Sequence, residues 1–194
     1  MWVKRLYDWT MALAGHRRAL PVLGLIAFIE SSVFPIPPDV MVVPMVLAER
    51  RRAWLIALVC TVASVLGGLA GYGIGAFLYD SVGRGIIEFY GQLEAFGRLQ
   101  GRYNEWGLVI VFVAGLTPLP YKVFTIFSGV AGLDVWLFVL GSLVSRGLRF
   151  YVVAGLLWWL GEPIRDFIER YLNILAIVFV VVLVGGFVAV KYLL

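Results

Sequence analysis

Five ionisable residues stand in stretches that are otherwise apolar: Glu30, Asp39, Lys122, Arg146 and Arg149. Asp39 closes the run Phe34-Pro35-Ile36-Pro37-Pro38-Asp39, and Lys122 closes Thr117-Pro118-Leu119-Pro120-Tyr121-Lys122. Arg146 and Arg149 are three apart, so on a helix they share a face, with Ser142 one turn earlier. An arginine fork suits bidentate contact with a phosphate, and a lysine ammonium adds a point charge. A carboxylate in apolar surroundings suits the carrying of a proton. The residue types therefore point to a site in which Lys122, Arg146 and Arg149 hold an anionic group while Glu30 and Asp39 serve proton coupling. A second reading stays open, in which the same acids and bases neutralise one another as structural ion pairs.

Other chemistries lack their residues. The chain has no H-E-x-x-H, no G-x-S-x-G, no cysteine–histidine pair and no glycine-rich phosphate loop. With one histidine, His16, and one cysteine, Cys60, a zinc site would have to rely on carboxylates. An enzyme is not expected, nor a catalytic residue, metal or cofactor. Cys60 lies in an uncharged run and has no internal disulfide partner.

The elements that must carry these five charges follow from composition. The 194 residues are 62% hydrophobic and 14% charged, with a mean hydropathy of +0.95. Soluble domains run near 45–50% apolar and about 25% charged, so most of the surplus apolar surface must face lipid. A soluble enzyme, a disordered chain and a disulfide-stapled module are excluded on this ground. The net charge of +4 bears on orientation in a membrane before it bears on partners. No nucleic-acid partner is expected; membrane lipids are the expected surroundings and partners, and the sequence is compatible with homo-oligomers. Trp2–Leu13 is too polar for a cleavable signal.

Two runs predict full spans. Ala53–Tyr79 is free of charge and flanked by Trp54 and Tyr79; Val135–Gly161 runs from Trp136 to the pair Trp158-Trp159. Ile174–Val190 predicts a third span. Two further apolar stretches are broken by the proline motifs. Ala19–Ile29 precedes the first break and Val40–Ala48 follows it; Gly107–Ala114 precedes the second and Val123–Leu133 follows it. Pro35, Pro37, Pro38, Pro118 and Pro120 cannot continue a helix, because each removes a donor and collides with the preceding turn. Irregular backbone at membrane depth survives only inside protein or beside a water-filled cavity.

Basic residues flank the first broken stretch on both sides: Lys4, Arg5, Arg17 and Arg18 before it, Arg50, Arg51 and Arg52 after it. Basic loops stay cytoplasmic, so this stretch predicts a hairpin that enters and leaves from the inside, with the arginine triplet as a topology signal. The second broken stretch then starts and ends outside. The motifs match at an offset of 83, with Pro35 over Pro118, Pro37 over Pro120 and Asp39 over Lys122. Each follows an amphipathic stretch, Trp2-to-Leu13 or Ile86-to-Leu99, which predicts an interfacial helix.

The expected fold is an all-α polytopic membrane protein, with an inverted repeat of two re-entrant hairpins, each followed by a transmembrane helix. Its parts are an N-terminal interfacial helix at 1–18 and a membrane domain at 19–160. That domain comprises repeat one at 19–79, an interfacial segment at 80–106 and repeat two at 107–160. A C-terminal transmembrane helix fills 161–194. Inverted repeats with broken helices are a transporter signature. Gly67, Gly71 and Gly75 predict a close-packing ridge, with a lipid path along it as the lesser reading.

Glu30 with Phe34-Pro-Ile-Pro-Pro-Asp39, the run Thr117-Pro-Leu-Pro-Tyr-Lys-Val-Phe-Thr-Ile-Phe-Ser-Gly129 and the later Ser145-Arg-Gly-Leu-Arg-Phe150 resemble the DedA family, also called SNARE-associated or VTT-domain membrane proteins, and most of all its YqaA-like branch. The resemblance covers about residues 19–160. It implies two re-entrant hairpins in an inverted repeat and movement of lipids across the bacterial inner membrane, by a flippase whose substrate is an anionic lipid headgroup, that of undecaprenyl phosphate or a phospholipid, and which draws on a proton or sodium gradient. By the same resemblance, Glu30 and Asp39 match the family's membrane-embedded acids. The second motif departs from the commoner pattern: Gly115 stands where an arginine is usual, and the basic residue is Lys122.

Overall fold

The computed structural model describes residues 18–33, 37–117, 120–161 and 163. The expected interfacial helix at 1–18 lies almost wholly outside the described residues, with His16, and so do Pro35, Pro118 and all but Gly161 and Pro163 of the expected C-terminal span. Among the described residues the chain is all-helical. Its helices are α1 (Ala19–Ser32), α2 (Asp39–Ala48), α3 (Ala53–Leu78), α4 (Arg84–Phe89), α5 (Leu93–Leu116), α6 (Tyr121–Val130) and α7 (Val135–Gly161).

Helical backbone runs unbroken over Arg50–Phe89, because a 3-10 turn of Arg50–Arg52 leads into α3 and a π-helical stretch, Tyr79–Gly83, joins α3 to α4. This 40-residue rod is about 60 Å long, and the 27 residues of α7 reach about 40 Å. Both are long and apolar enough to cross a membrane. Each carries a continuous exposed stripe of large apolar side chains at helical spacing. On α3 these are Leu55, Leu58, Val62 and Leu66, and on α7 Leu137, Leu140, Val144, Leu148 and Val152.

Prolines set the short helices. Pro38 (φ −64°) immediately precedes α2, and Pro120 (φ −62°) immediately precedes α6. A proline's fixed φ and missing N–H suit a helix start and forbid continuation of the helix before it. Pro44 sits inside α2 and is buried without ending it. The stretch at 80–106 is not a separate element. Its first part extends the rod to Phe89, a turn with Gly91 at φ 66° reverses the chain, and its second part belongs to α5, which continues to Leu116. The charged residues 94–105 do not interrupt that helix because its glycines and polar residues are still compatible with helical backbone, and no proline intervenes before 118.

Helix directions can be read from where side chains meet. Gly24 of α1 lies against Val59 and Ala63, Phe28 against Gly67, and Ser31 against Gly71, so α1 runs parallel to α3. Further along, Tyr121 and Thr125 of α6 meet Gly68, and Ile126 and Val130 meet Gly75, so α6 also runs parallel to α3. The two short helices therefore lie end to end on one side of α3, together about 36 Å long against about 39 Å for α3 itself. In the same way α5 runs parallel to α7, with Gly107 against Leu133, Leu108 and Val111 against Gly141, and Gly115 against Ser145. Helices α3 and α7 are antiparallel: Trp54 stacks on Tyr151 near one end, and Tyr72 meets Phe138 near the other.

The glycine ridge is what allows the close approach. A Cβ on Gly67 would collide with the carbonyl of Phe28, and one on Gly75 with the carbonyl of Ile126. Backbone thus rests directly on backbone. Two apolar cores result. One gathers Leu23, Val42, Ile56, Cys60, Phe150 and Leu157, and the other Tyr103, Val111, Leu133 and Phe138. The polar residues sit between them.

Candidate functional site

The end-to-end seam of α1 and α6 falls at the proline breaks, and the five charges converge there. Arg146 projects from the middle of α7 and is 1% exposed. Its Nη2 donates to Oε2 of Glu30 at 2.8 Å, and its Nε donates to Oγ of Ser64 at 2.6 Å. The guanidinium lies 5.0 Å from the ring centroid of Tyr121 and 4.8 Å from that of Phe150, so aromatic faces cover it. The hydroxyl of Tyr121 is itself tied down by a hydrogen bond to Ser142.

Arg149, one turn on, forms the second ion pair. Its Nη2 donates to Oδ2 of Asp39 at 2.7 Å, and its Nη1 donates to the carbonyl of Thr117 at 3.3 Å. This pair is less covered: the side chains are 22% and 27% exposed, against 1% and 16% for Arg146 and Glu30. Oδ1 of Asp39 is buried with no hydrogen-bond partner among the described residues. Lys122 donates to the carbonyl of Val33 at 3.2 Å.

A pattern joins these contacts. Val33 is the residue that ends α1, and Thr117 the residue that ends α5. Each free carbonyl at a helix C-terminus is met by a cation, which the end of the helix dipole favours. Asp39 opens α2, where a negative charge is favoured in turn. Both acids come from the first half of the chain and all three bases from the second.

All five expected charged residues are thus brought to the seam, though in a specific pairing. Asp39 and Lys122, which correspond in the two motifs, do not pair with each other: Asp39 takes Arg149 and Lys122 takes a backbone carbonyl. Arg146 has no open face towards a ligand in this conformation, whereas Arg149 and Lys122 are partly exposed. Ser142 serves Tyr121 rather than either arginine.

The sequence did not disclose Ser31, Ser64, Tyr121, Thr125 and Phe150 as part of the site. Ser31 shares a hydrogen bond with Ser64 at 2.6 Å and donates to Glu30 Oε2 at 3.1 Å. Thr125 donates to the backbone carbonyl of Ser31 at 3.2 Å. The available signal was weak: Ser64 and Thr125 are hydroxyls in apolar runs, and Ser31 adjoins Glu30. Small hydroxyls satisfy themselves on helix carbonyls too often for that to single them out.

The chain is 38% identical over 186 residues to an uncharacterized protein of Haemophilus influenzae, the match covering 96% of each chain. It is also 38% identical over 185 residues to an uncharacterized protein of Histophilus somni, covering 92% of this chain and 96% of the other. No family model matches the chain, and no solved structure matches it.

Proposed function

The chain belongs to the family of these Haemophilus influenzae and Histophilus somni proteins, and we propose that it is a multi-pass inner-membrane transporter that moves an anionic, phosphate-bearing lipid across the bilayer. The observation that carries the reading is the seam itself. Charges that are costly in an apolar layer, at least about 2.5–3.5 kcal/mol each, gather where two pairs of helices break. Three bases face two acids there, which leaves one positive charge for an anionic headgroup.

Membrane placement is supported by the apolar stripes of α3 and α7 and by their aromatic ends. Trp136 and Trp159 on α7 are 72% and 75% exposed and stand 23 residues apart, about 35 Å along the helix. That length suits a hydrocarbon core of about 30 Å with its interfaces. Arg146 and Arg149 then fall near mid-depth. The parallel pairs α1/α3 and α5/α7, with α3 and α7 antiparallel, support two re-entrant hairpins, α1–α2 and α5–α6, related as an inverted repeat. The resemblance to DedA proteins points in the same direction and supplies the substrate class, undecaprenyl phosphate or a phospholipid, and a proton or sodium gradient as the drive.

In this reading the partly exposed Lys122 and Arg149 receive the headgroup phosphate. Glu30 and Asp39 carry the coupling charge. When a proton neutralises Glu30, Arg146 loses its ionic partner and becomes available to the phosphate. Neutral carboxylate and engaged phosphate thereby accompany each other, which is the linkage an ion-driven lipid transporter requires.

Reconstitution tests this. Purified protein in liposomes, with labelled polyprenyl phosphate or phospholipid, should accelerate transbilayer movement under an imposed pH or sodium gradient. Glu30→Gln and Arg149→Ala should abolish the acceleration. Wild type that moves neither lipid under any gradient overturns the reading. The complete neutralisation of Arg146 by Glu30 favours one alternative, a structural or assembly factor whose ion pairs only hold the hairpins. That alternative requires Glu30→Gln and Arg149→Ala to lose folding together with any cellular effect.

A further inference from the structure

Ser31 is where four helices meet. Its carbonyl accepts from Thr125 of α6, and its hydroxyl contacts Ser64 of α3 and Glu30 of its own helix, which is bonded in turn to Arg146 of α7. Ser31, Ser64 and Arg146 are all buried. The hydrogens in this cluster can be assigned from valence alone. Arginine has donors only, so Ser64 accepts from Nε of Arg146. Ser31 spends its hydrogen on Glu30 Oε2. The short contact between the two serines is then a donation from Ser64 to Ser31.

Arg146 consequently reaches Glu30 Oε2 by two routes, directly through Nη2 and indirectly through Ser64 and Ser31. The indirect route starts at a guanidinium, which has no lone pair to accept a proton, so it does not conduct protons onward. Its effect is geometric. Two hydrogen bonds at different nitrogens fix both the position and the tilt of a planar fork, where a single bond would leave it free to turn.

We infer that Ser31 and Ser64 are positioning residues, a pair of hydroxyls that seats Arg146 on Glu30 and holds the joint between α1, α3 and α7 closed. Removing the Ser64 hydroxyl leaves Arg146 with its direct contact to Glu30 alone, and removing that of Ser31 leaves Ser64, which still accepts from Nε, without its own acceptor. The joint then opens more often. The inference rests on the transporter reading only for its consequence in turnover; the closed joint itself is independent of what is transported.

The chain carries its own reporter. Cys60, the single cysteine, is buried on α3 one turn before Ser64, so opening of the joint exposes it. In proteoliposomes, N-ethylmaleimide should alkylate Cys60 at least fivefold faster in Ser64→Ala than in wild type, and at the wild-type rate in Ser64→Thr, which restores the hydroxyl. Equal rates in wild type and Ser64→Ala overturn the inference. So does a Ser64→Thr rate as high as that of Ser64→Ala, because the loss is then one of packing and not of the hydroxyl. Should either Ser64 variant fail to fold by tryptophan emission, Ser31→Ala and Ser31→Thr decide by the same criteria.

Lipid movement in the same vesicles adds a second arm. Ser64→Ala should lower the maximal rate at least fivefold with an unchanged half-saturating lipid content, and Ser64→Thr should restore it. If wild type moves no lipid, the transporter reading falls while the alkylation rates still decide the role of the serines.

Discussion

Arg146 and Glu30 form an ion pair at 2.8 Å across 116 positions of sequence, with the arginine sealed from solvent between two aromatic rings. Such a pair contributes little net stability, because the cost of stripping water from both charges offsets their attraction. Removing one partner is another matter, since the survivor is then a buried, uncompensated charge.

That asymmetry gives a first expectation. Arg146→Met and Glu30→Met should each lower unfolding free energy in detergent by about 3–5 kcal/mol, whereas the double variant should recover most of the loss. Lipid movement should stay absent in all three. A double variant as unstable as the singles would show that the pair is not an isolated unit.

The second pair should behave differently. Asp39 and Arg149 are partly exposed, so Asp39→Asn and Arg149→Gln should each cost only about 1–2 kcal/mol. Lipid movement should nonetheless fall at least tenfold in both. Thermal unfolding and liposome rates, measured on the same preparation, check the two halves of the statement.

Glycine substitutions on α3 should separate contact from propensity. Gly67→Ala and Gly75→Ala place a methyl against the carbonyls of Phe28 and Ile126, and each should cost about 1–3 kcal/mol. A Cβ on Gly73 meets nothing within 4 Å, so Gly73→Ala should be neutral or stabilise by up to about 1 kcal/mol. Unfolding of the three variants in one detergent tests the contrast.

The membrane placement proposed for α7 is measurable as well. In a chain otherwise stripped of tryptophan, Trp136 or Trp159 alone should be quenched best by lipids brominated near the headgroup. A tryptophan introduced by Leu148→Trp should be quenched best by lipids brominated deep in the acyl chain. Uniform quenching at all three positions would argue against a spanning α7.

The breaks are legible because clustered prolines act locally: Pro38 and Pro120 stand immediately before helix starts, where a fixed φ and a missing donor are tolerated, whereas the lone Pro44 is carried inside α2. The two long helices are legible for a similar reason: Ala53–Tyr79 is free of charge throughout, and Val135–Gly161 carries only Arg146 and Arg149 in an otherwise apolar run bounded by tryptophans. Partner choice was not legible. Asp39 pairs with Arg149 and not with Lys122, because α1 and α6 meet end to end and the cation of α6 is drawn to the nearer helix terminus at Val33. Ser31 and Ser64 are not legible in the sequence for a related reason, being 33 residues apart and joined only once α1 lies along the glycine ridge. At 80–106 the amphipathic pattern predicts an interfacial helix, but the same apolar spacing also suits the two arms that meet at Gly91.

The division of labour between the halves, acids first and bases second, has a consequence in time. A ribosome releases Glu30 116 residues before Arg146, Asp39 110 before Arg149, and Val33 89 before Lys122. At synthesis rates of about 5–20 residues per second, the first helices wait for about 5–25 seconds with their carboxylates and carbonyl end unmatched. During that interval neither ion pair can form. The joint around Glu30 is therefore completed late in synthesis, and a nascent polypeptide cut off before residue 146 lacks the guanidinium that pairs with its carboxylate.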